Sequence, residues 1–223
     1  MKTLVIMHVA SEGPGTLGTF LESVSIDIVT ARLYAGDRLP DDPRVYDAVI
    51  SMGGPMNVYD EDAYPFLRDE TLFLQKAISS EVPVMGICLG AQMIAKAAGA
   101  RVIRSPQKEV GWRKVVLTAE GRLDSLFQGL PAVLDVLQWH EDMFEVPEGG
   151  ELLASSEACP HQAFRYRSAV GLQFHVEVTE EILSDWFEDS AQHDEVVTGF
   201  RLLEKELAGH SLRMYRNFLS LIR

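Results

Sequence analysis

The run VPVMGICLGAQMIAKAA, residues 82–98, decides how this chain folds. It starts with four apolar or strand-compatible residues and ends in an alanine-rich stretch, and between them a cysteine is enclosed by two glycines. The pattern predicts a strand, a tight turn through Cys88 and a helix that starts near Leu89. Glycines on both sides let the strand and the helix approach closely around a strained Cys88 backbone.

This turn has the small-x-nucleophile-x-small form of a nucleophile elbow. It places the sulfur of Cys88 at a helix N-terminus, where partial positive charge and free amide groups favour the thiolate. A tight turn around a buried and inert cysteine has the same sequence, since free cysteines are among the most buried residues. The motif alone therefore leaves both interpretations open.

The composition limits the classes of function. The 223 residues include 33 acidic and 20 basic side chains, and the formal net charge of -13 disfavours nucleic acid and anionic membranes as partners. Two cysteines, Cys88 and Cys159, cannot form a disulfide framework, which favours a reducing, cytoplasmic location. The apolar N-terminus is short and lacks a cleavage site, so it predicts a buried strand and not a signal peptide.

Strands and helices are predicted to alternate in the first half of the chain. Apolar strand-like runs occupy residues 3–8, 25–31, 48–52 and 83–86, and segments of helical period occupy 17–23 and 66–80. Alternating β and α units predict an open, mostly parallel central sheet with helices on both faces, as in flavodoxin-like α/β folds.

The second half predicts an antiparallel extension of that sheet. Shorter strands are expected at residues 101–103, 109–117, 134–138, 150–155, 162–166 and 169–175, with no long helix between them. Helical periodicity returns at 180–189 and 194–222. We expect one domain over residues 1–223, with a core of about 1–179 and C-terminal helices in 180–223.

A base for Cys88 is predicted at the end of the last strand. His175 closes an apolar run and Glu177 lies two positions later, so an extended backbone points both side chains to one face. A carboxylate beside an imidazole fixes its tautomer, which is the task of the third member of a catalytic triad. A strand-end histidine paired with a surface glutamate would look the same in isolation, but the elbow favours the catalytic interpretation.

Backbone amides could complete the chemistry. The third predicted strand runs into Gly53, Gly54 and Pro55, where glycine lets the backbone approach a ligand. The amides of Gly54 and Leu89 together could form an oxyanion hole. Glycine-proline pairs are also ordinary turn formers, so this motif is weak by itself.

Three motifs together resemble class I glutamine amidotransferase domains. They are Gly-Ile-Cys-Leu-Gly-Ala-Gln at 86–92, Gly-Gly-Pro at 53–55 and Gly-Leu-Gln-Phe-His-Val-Glu-Val-Thr at 171–179. The closest resemblance is to the glutaminase domain of GMP synthetase and its stand-alone relatives, and it extends to about Thr179. Two features depart from the family: Val176 replaces the usual proline, and no glycine-lysine stretch typical of an ATP-using domain follows.

The resemblance implies a role for each matching residue. Cys88 would be the nucleophile, His175 the base and Glu177 its orienter, with oxyanion amides from Gly54 and Leu89. The substrate-binding residues that the resemblance implies are Gly53, Gln92, Trp139 and His140, the last two in the loop 138–142.

The implied reaction is hydrolysis of a γ-glutamyl amide through a cysteine thioester, which releases glutamate and ammonia without any cofactor. The ammonia could pass to a synthetase partner in trans. A γ-glutamyl peptide or conjugate hydrolase or transferase, and a non-catalytic regulatory module of the same fold, remain alternatives. A metal site formed by His140, Glu141 and Asp142 with His175 and Glu177 is disfavoured, because consecutive loop residues rarely converge on one ion and the last two residues already have a role as a pair. The sequence leaves the physiological substrate, the acceptor and the oligomeric state open.

Overall fold

The computed structural model describes residues 1–222, whose nine strands belong to one sheet. Arg223, the last residue of the predicted segment 180–223, lies outside the described residues. The strands are β1 (Lys2–Met7), β2 (Asp27–Arg32), β3 (Ala48–Ser51), β4 (Val84–Ile87), β5 (Val102–Leu117), β6 (Val133–Phe144), β7 (Glu151–Ser155), β8 (Ala163–Tyr166) and β9 (Ala169–Leu172). The α-helices are α1 (Gly15–Ser23), α2 (Phe66–Ser79), α3 (Leu89–Ala97), α4 (Ala119–Leu123), α5 (Glu180–Trp186) and α6 (His193–Leu219).

The strand order is β2-β1-β3-β4-β9-β8-β7-β5-β6. The five strands from β2 to β9 pair in parallel, and the four pairings from β9 to β6 are antiparallel. The predicted fold class, a parallel sheet with helices and an antiparallel extension, is confirmed. Within residues 1–222, every helix is too short or too polar to cross a bilayer.

Apolar layers cover both faces of the parallel strands. Side chains alternate along β1, so Val5 packs with α1 and α6 while Leu4 packs with α2 and α3 on the opposite face. Strands buried on both faces read as continuous apolar runs, which is why they were recognisable in the sequence.

Three of the predicted strand boundaries were wrong. The predicted strand 134–138 is the longer β6, and the segment 138–142, predicted as a loop, lies inside it because it pairs with β5. One strand, β5, spans the predicted 101–103 and 109–117, because it pairs with a β6 that continues to Phe144, with an irregular register between Arg104 and Glu109. Strand β9 ends at Leu172 and not at His175, because its neighbour β4 ends at the turn through Cys88. His175 instead forms an isolated antiparallel bridge with Leu137 of β6.

The register of β4 against β9 sets the place of the site. Ile87 pairs with Leu172, so both parallel strands end at the same edge of the sheet. The residues that follow them, Cys88 after β4 and the segment 173–177 after β9, therefore meet there. In open α/β sheets, ligands bind at this carboxyl edge.

Candidate active site

Cys88 occupies the turn between β4 and α3. Its φ of 51° lies in the left-handed region that side chains other than glycine rarely adopt, and its amide donates to the Leu172 carbonyl at 2.8 Å. A Cβ added to Gly86 would lie 2.5 Å from the carbonyl of Gly90, and one added to Gly90 would overlap the Ser51 carbonyl oxygen. The elbow predicted from the sequence therefore requires both glycines for close packing.

His175 and Glu177 form a buried pair beside Cys88. The Nδ1 atom of His175 lies 2.7 Å from Oε1 of Glu177, and the other carboxylate oxygen accepts from the Val176 amide at 2.9 Å. Because the Nδ1–H group of His175 donates to the Glu177 carboxylate, the Nε2 atom is left to face Cys88. The backbone amide of His175 donates to the Leu137 carbonyl at 2.9 Å, which fixes the main chain at this residue.

Charge on the neighbours of His175 governs its protonation. Burial by itself lowers the pKa of His175, but the charge of Glu177 and the hydrogen bonds to Cys88 and Glu177 outweigh it and hold the pKa well above the ordinary 6.5. His175 thus holds a proton beside the sulfur of Cys88 and against the carboxylate of Glu177. The three residues can therefore act as a nucleophile, a proton carrier and an orienting carboxylate.

The C-terminal helix α6 holds the segment of His175 and Glu177 in place. Ser211 and Tyr215 both donate hydrogen bonds to the Val176 carbonyl, at 2.7 and 2.8 Å. These α6 residues were not predicted from the sequence to support the site. The helix fixes the backbone between the two members of the pair.

A second buried pair lies beneath the loop that contains Gly53 and Gly54. His8 and Glu70 are fully buried, with His8 Nε2 at 2.7 Å from the Glu70 carboxylate and His8 Nδ1 at 2.9 Å from the Gly53 carbonyl oxygen. Ser51 donates to the same carboxylate at 2.6 Å. Both ring nitrogens of His8 thus face hydrogen-bond acceptors. Both hydrogen bonds can form only when both nitrogens carry protons. Burial lowers the pKa of His8, but Glu70 and the hydrogen bonds outweigh that effect and raise it above 6.5.

This pair orients the Gly53–Gly54 peptide. The Gly53 carbonyl and the Gly54 amide belong to one planar peptide unit, so a carbonyl held by His8 turns the amide to the opposite side. Gly54 packs so closely that an added Cβ would lie 2.7 Å from the Leu89 side chain. His8 and Glu70 were not among the site residues predicted from the sequence. One signal was available, because Glu70 interrupts the buried face of α2 that Leu67, Phe73 and Ala77 form.

The remaining predicted substrate-binding residues lie around Cys88. Gln92 and His140 line one cavity, and the Trp139 carbonyl lies 3.8 Å from the sulfur of Cys88. The Gln92 side-chain amide donates to the Asp142 carbonyl at 3.2 Å. The carbonyl of Gly53 accepts a hydrogen bond from His8.

The His140 ring belongs to a buried polar cluster with Glu109 and Cys159. These three could bring metal-ligating atoms within 4.8 Å of one another. Protein groups already satisfy the Glu109 carboxylate, which accepts from Gln162 at 2.6 Å and from Ser156 at 3.0 Å. Burial raises the pKa of the Cys159 thiol and so disfavours the thiolate that a metal needs. We assign this cluster a structural role.

Two cavities meet at Cys88. One, of about 450 Å³, has Arg104 and Lys108 together with acidic side chains in its lining. The other, of about 410 Å³, is lined by His175, Trp139, Trp186 and Glu12. Gly54, Pro55, Cys88 and Trp139 are common to both, so the sulfur lies at their junction.

Comparisons with known proteins agree with this architecture. The family model for class-I glutamine amidotransferases matches residues 21–190. The chain is 33% identical over 196 residues to the glutamine amidotransferase-like protein YfeJ of Salmonella typhimurium, covering 86% of this chain and 82% of that protein. It superposes on the crystal structure of a glutamine amidotransferase from Thermotoga maritima with a TM-score of 0.91 and 30% identity, over 98% of this chain and 97% of the other. The chain belongs to the class I glutamine amidotransferase family.

GMP synthases are also similar, over part of their length. The glutamine-hydrolysing GMP synthase of Thermosipho melanesiensis is 33% identical over 189 residues, which cover 80% of this chain but 33% of that enzyme. The chain thus spans between about a quarter and a third of the length of the synthases it matches. The predicted resemblance to the GMP synthase glutaminase domain and to stand-alone relatives is confirmed.

Proposed function

We propose that this protein hydrolyses a γ-glutamyl amide, with glutamine as the simplest substrate, through a thioester on Cys88. The observation that carries the proposal is the convergence of Cys88, at the start of α3, with the buried pair of His175 and Glu177 at the same sheet edge. Membership of the glutamine amidotransferase family supports the same chemistry.

The reaction takes place in two halves. The Cys88 thiolate attacks the γ-carbonyl carbon, and the oxyanion that forms is stabilised by the amides of Gly54 and Leu89. His175 gives its proton to the departing nitrogen, the carbon-nitrogen bond breaks, and a γ-glutamyl thioester remains. Neutral His175 then takes a proton from water as its oxygen attacks the thioester, which releases glutamate and restores the cysteine. Glu177 stabilises the imidazolium in both halves.

The cavity lined by Gln92 and His140 is the proposed binding place of the glutamyl part of the substrate. It has both cationic and acidic side chains, which suits the α-carboxylate and α-ammonium groups of a glutamyl moiety. We assign Gly53, Gln92, Trp139 and His140 to the support of this cavity. Ammonia transfer to a synthetase in trans is compatible with this function and is supported by the likeness to GMP synthases.

The test is release of glutamate from glutamine and from γ-glutamyl peptides by the purified protein. Cys88→Ala should abolish turnover, whereas Cys159→Ala, at the other buried cysteine, should retain it. A γ-glutamyl adduct on the peptide that contains Cys88, detected by mass spectrometry, would establish the thioester. Equal turnover by the Cys88→Ala variant would contradict the thioester mechanism. No turnover by the wild type with any substrate would contradict the proposal and favour a non-catalytic module.

A γ-glutamyl conjugate hydrolase is a second candidate function within the same chemistry. The observation that favours it is the cavity of about 410 Å³ on the His175 side of Cys88. Higher turnover of N-substituted γ-glutamyl amides than of glutamine, the unsubstituted amide, would support this function.

A further inference from the structure

The cavity on the His175 side is larger than the departing group of glutamine requires. In the proposed reaction, His175 donates its proton to the leaving nitrogen, so the leaving group must lie on the side of Cys88 that His175 faces. His175 lines the cavity of about 410 Å³ and does not line the other one. Ammonia is close in size to water, which occupies about 30 Å³ in the liquid. The space therefore accommodates a leaving group with many more atoms.

The lining of this cavity has a definite chemical character. Trp139 and Trp186 supply aromatic walls with ring centroids 6.1 Å apart, and Glu12 and Asp185 supply carboxylates. In the described chain, the cavity has no lysine or arginine in its lining; its one cationic group, the imidazolium of His175, is already ion-paired with Glu177, so Glu12 and Asp185 are left in excess. Aromatic faces and unpaired carboxylates together favour an organic cation.

Glu12 lies at the centre of this arrangement. Its carboxylate is so close to Gly53 that a Cβ on that glycine would overlap it, and the same Cβ would lie 3.3 Å from the His175 ring. Burial raises the pKa of Glu12, an effect opposed by the charge of His175 and reinforced by that of Glu177. A cationic ligand would relieve the cost of this negative charge. The loop of Glu12 is fixed from the other side, because the Trp186 indole donates to the Ser11 carbonyl at 2.9 Å.

We propose that this cavity is a leaving-group subsite for a cationic amine. The preferred substrate is then a γ-glutamyl amide whose amine part carries a positively charged group in addition to the neutral amide nitrogen. The inference rests on the proposed function and narrows its substrate class. The glutamyl part occupies the cavity with Gln92, the amide carbon lies at Cys88, and the amine extends along the wall that the two tryptophans form by edge-to-face contact, toward Glu12. When the carbon-nitrogen bond breaks, the His175 proton goes to that nitrogen and the free amine departs through this cavity.

The experiment compares kcat/KM for two substrates of nearly equal size. The γ-glutamyl amide of 1,4-diaminobutane carries a terminal ammonium group, and γ-glutamyl butylamide is its neutral counterpart. We expect about a tenfold preference for the cationic amide, as for one partly buried ion pair. Glu12→Gln should bring the ratio close to one, whereas Glu22→Gln, an exposed glutamate of α1, should leave the ratio as in the wild type. Equal or better turnover of the neutral amide by the wild type, or an unchanged ratio in Glu12→Gln, would overturn the subsite.

A binding measurement separates the subsite from the reaction. Addition of 1,4-diaminobutane to the Cys88→Ala protein should change the tryptophan fluorescence, since Trp139 and Trp186 line the cavity. The change should weaken in the double variant that also carries Glu12→Gln. If no substrate is hydrolysed but the diamine binds in this way, the proposed function is wrong and the cavity binds organic cations without being a leaving-group subsite. If glutamine is hydrolysed and the diamine does not bind, the subsite is wrong and the proposed function stands.

Discussion

The buried pair of His8 and Glu70 makes a quantitative prediction about stability. The Glu70 carboxylate accepts two short hydrogen bonds, from His8 at 2.7 Å and from Ser51 at 2.6 Å. In Glu70→Gln, the side-chain oxygen can still accept from Ser51, and the amide can donate to His8 Nε2. His8 then becomes neutral and keeps its proton on Nδ1 for the Gly53 carbonyl.

The expected loss in the free energy of unfolding follows from the replacement of charged hydrogen bonds by neutral ones. Hydrogen bonds to charged groups contribute about 1.5 to 3 kcal/mol and neutral ones about 0.5 to 1.5 kcal/mol. Two bonds change type, and the lower desolvation of an uncharged pair offsets part of the loss. We therefore expect Glu70→Gln to lower the free energy of unfolding by about 1 to 2 kcal/mol at pH 6. Glu70→Leu removes both acceptors and should cost about 3 to 5 kcal/mol.

The pKa of His8 sets the direction in which the stability difference changes with pH. The folded-state pKa of His8 is raised above 6.5, so its stabilisation is fully present below the unfolded-state pKa and is lost as the pH rises through the folded-state value. The difference between wild type and Glu70→Gln should therefore shrink at high pH. The pH-dependent contribution of His175 to the free energy of unfolding has the same sign in both proteins, so it cancels in this comparison.

Urea unfolding at several pH values between 6 and about 9 measures these differences. Asp69→Asn, an exposed neighbour on the same helix, is the matched control and should differ from wild type by less than about 0.5 kcal/mol. The reasoning is refuted if Glu70→Gln matches the wild type at pH 6, or if its deficit grows as the pH rises.

Three further outcomes are expected. Gly90→Ala should destabilise the fold by at least about 3 kcal/mol in chemical denaturation, since its Cβ would overlap the Ser51 carbonyl; a loss below about 1 kcal/mol would contradict this packing. Tyr215→Phe should cost about 1 kcal/mol, because Ser211 still donates to the Val176 carbonyl; a loss above about 3 kcal/mol in the same assay would contradict that shared role. Glu177→Gln should lower the pKa of His175, measured by NMR titration, and reduce the proposed turnover on the order of 10²-fold or more; an unchanged titration would refute the assigned orientation.

Much of the fold was predictable because its signals are local. Buried parallel strands read as apolar runs, and the glycines of the elbow are adjacent to the cysteine they serve. The boundaries that failed depend on distant partners. Strand β5 is continuous because β6 pairs along it, and β9 stops where β4 stops.

The proximity of Cys88 to His175 was also predictable, since parallel strands that end together bring their following residues to one edge. The polar support of the site was not. Residues that lie far apart in sequence supply it: His8 with Glu70, and Val176 with the helix residues Ser211 and Tyr215.

The sequence by itself determined the alternation of strands and helices, the strained turn through Cys88 and the edge at which His175 meets it. Backbone preference and hydrophobic period act between neighbours and need no knowledge of packing. Only the tertiary structure decided that Glu70 is buried against His8, that α6 holds the segment of His175, and that a cavity with Glu12 opens beside it. Burial and hydrogen-bond partners depend on which distant surfaces meet, and a linear pattern does not contain that information.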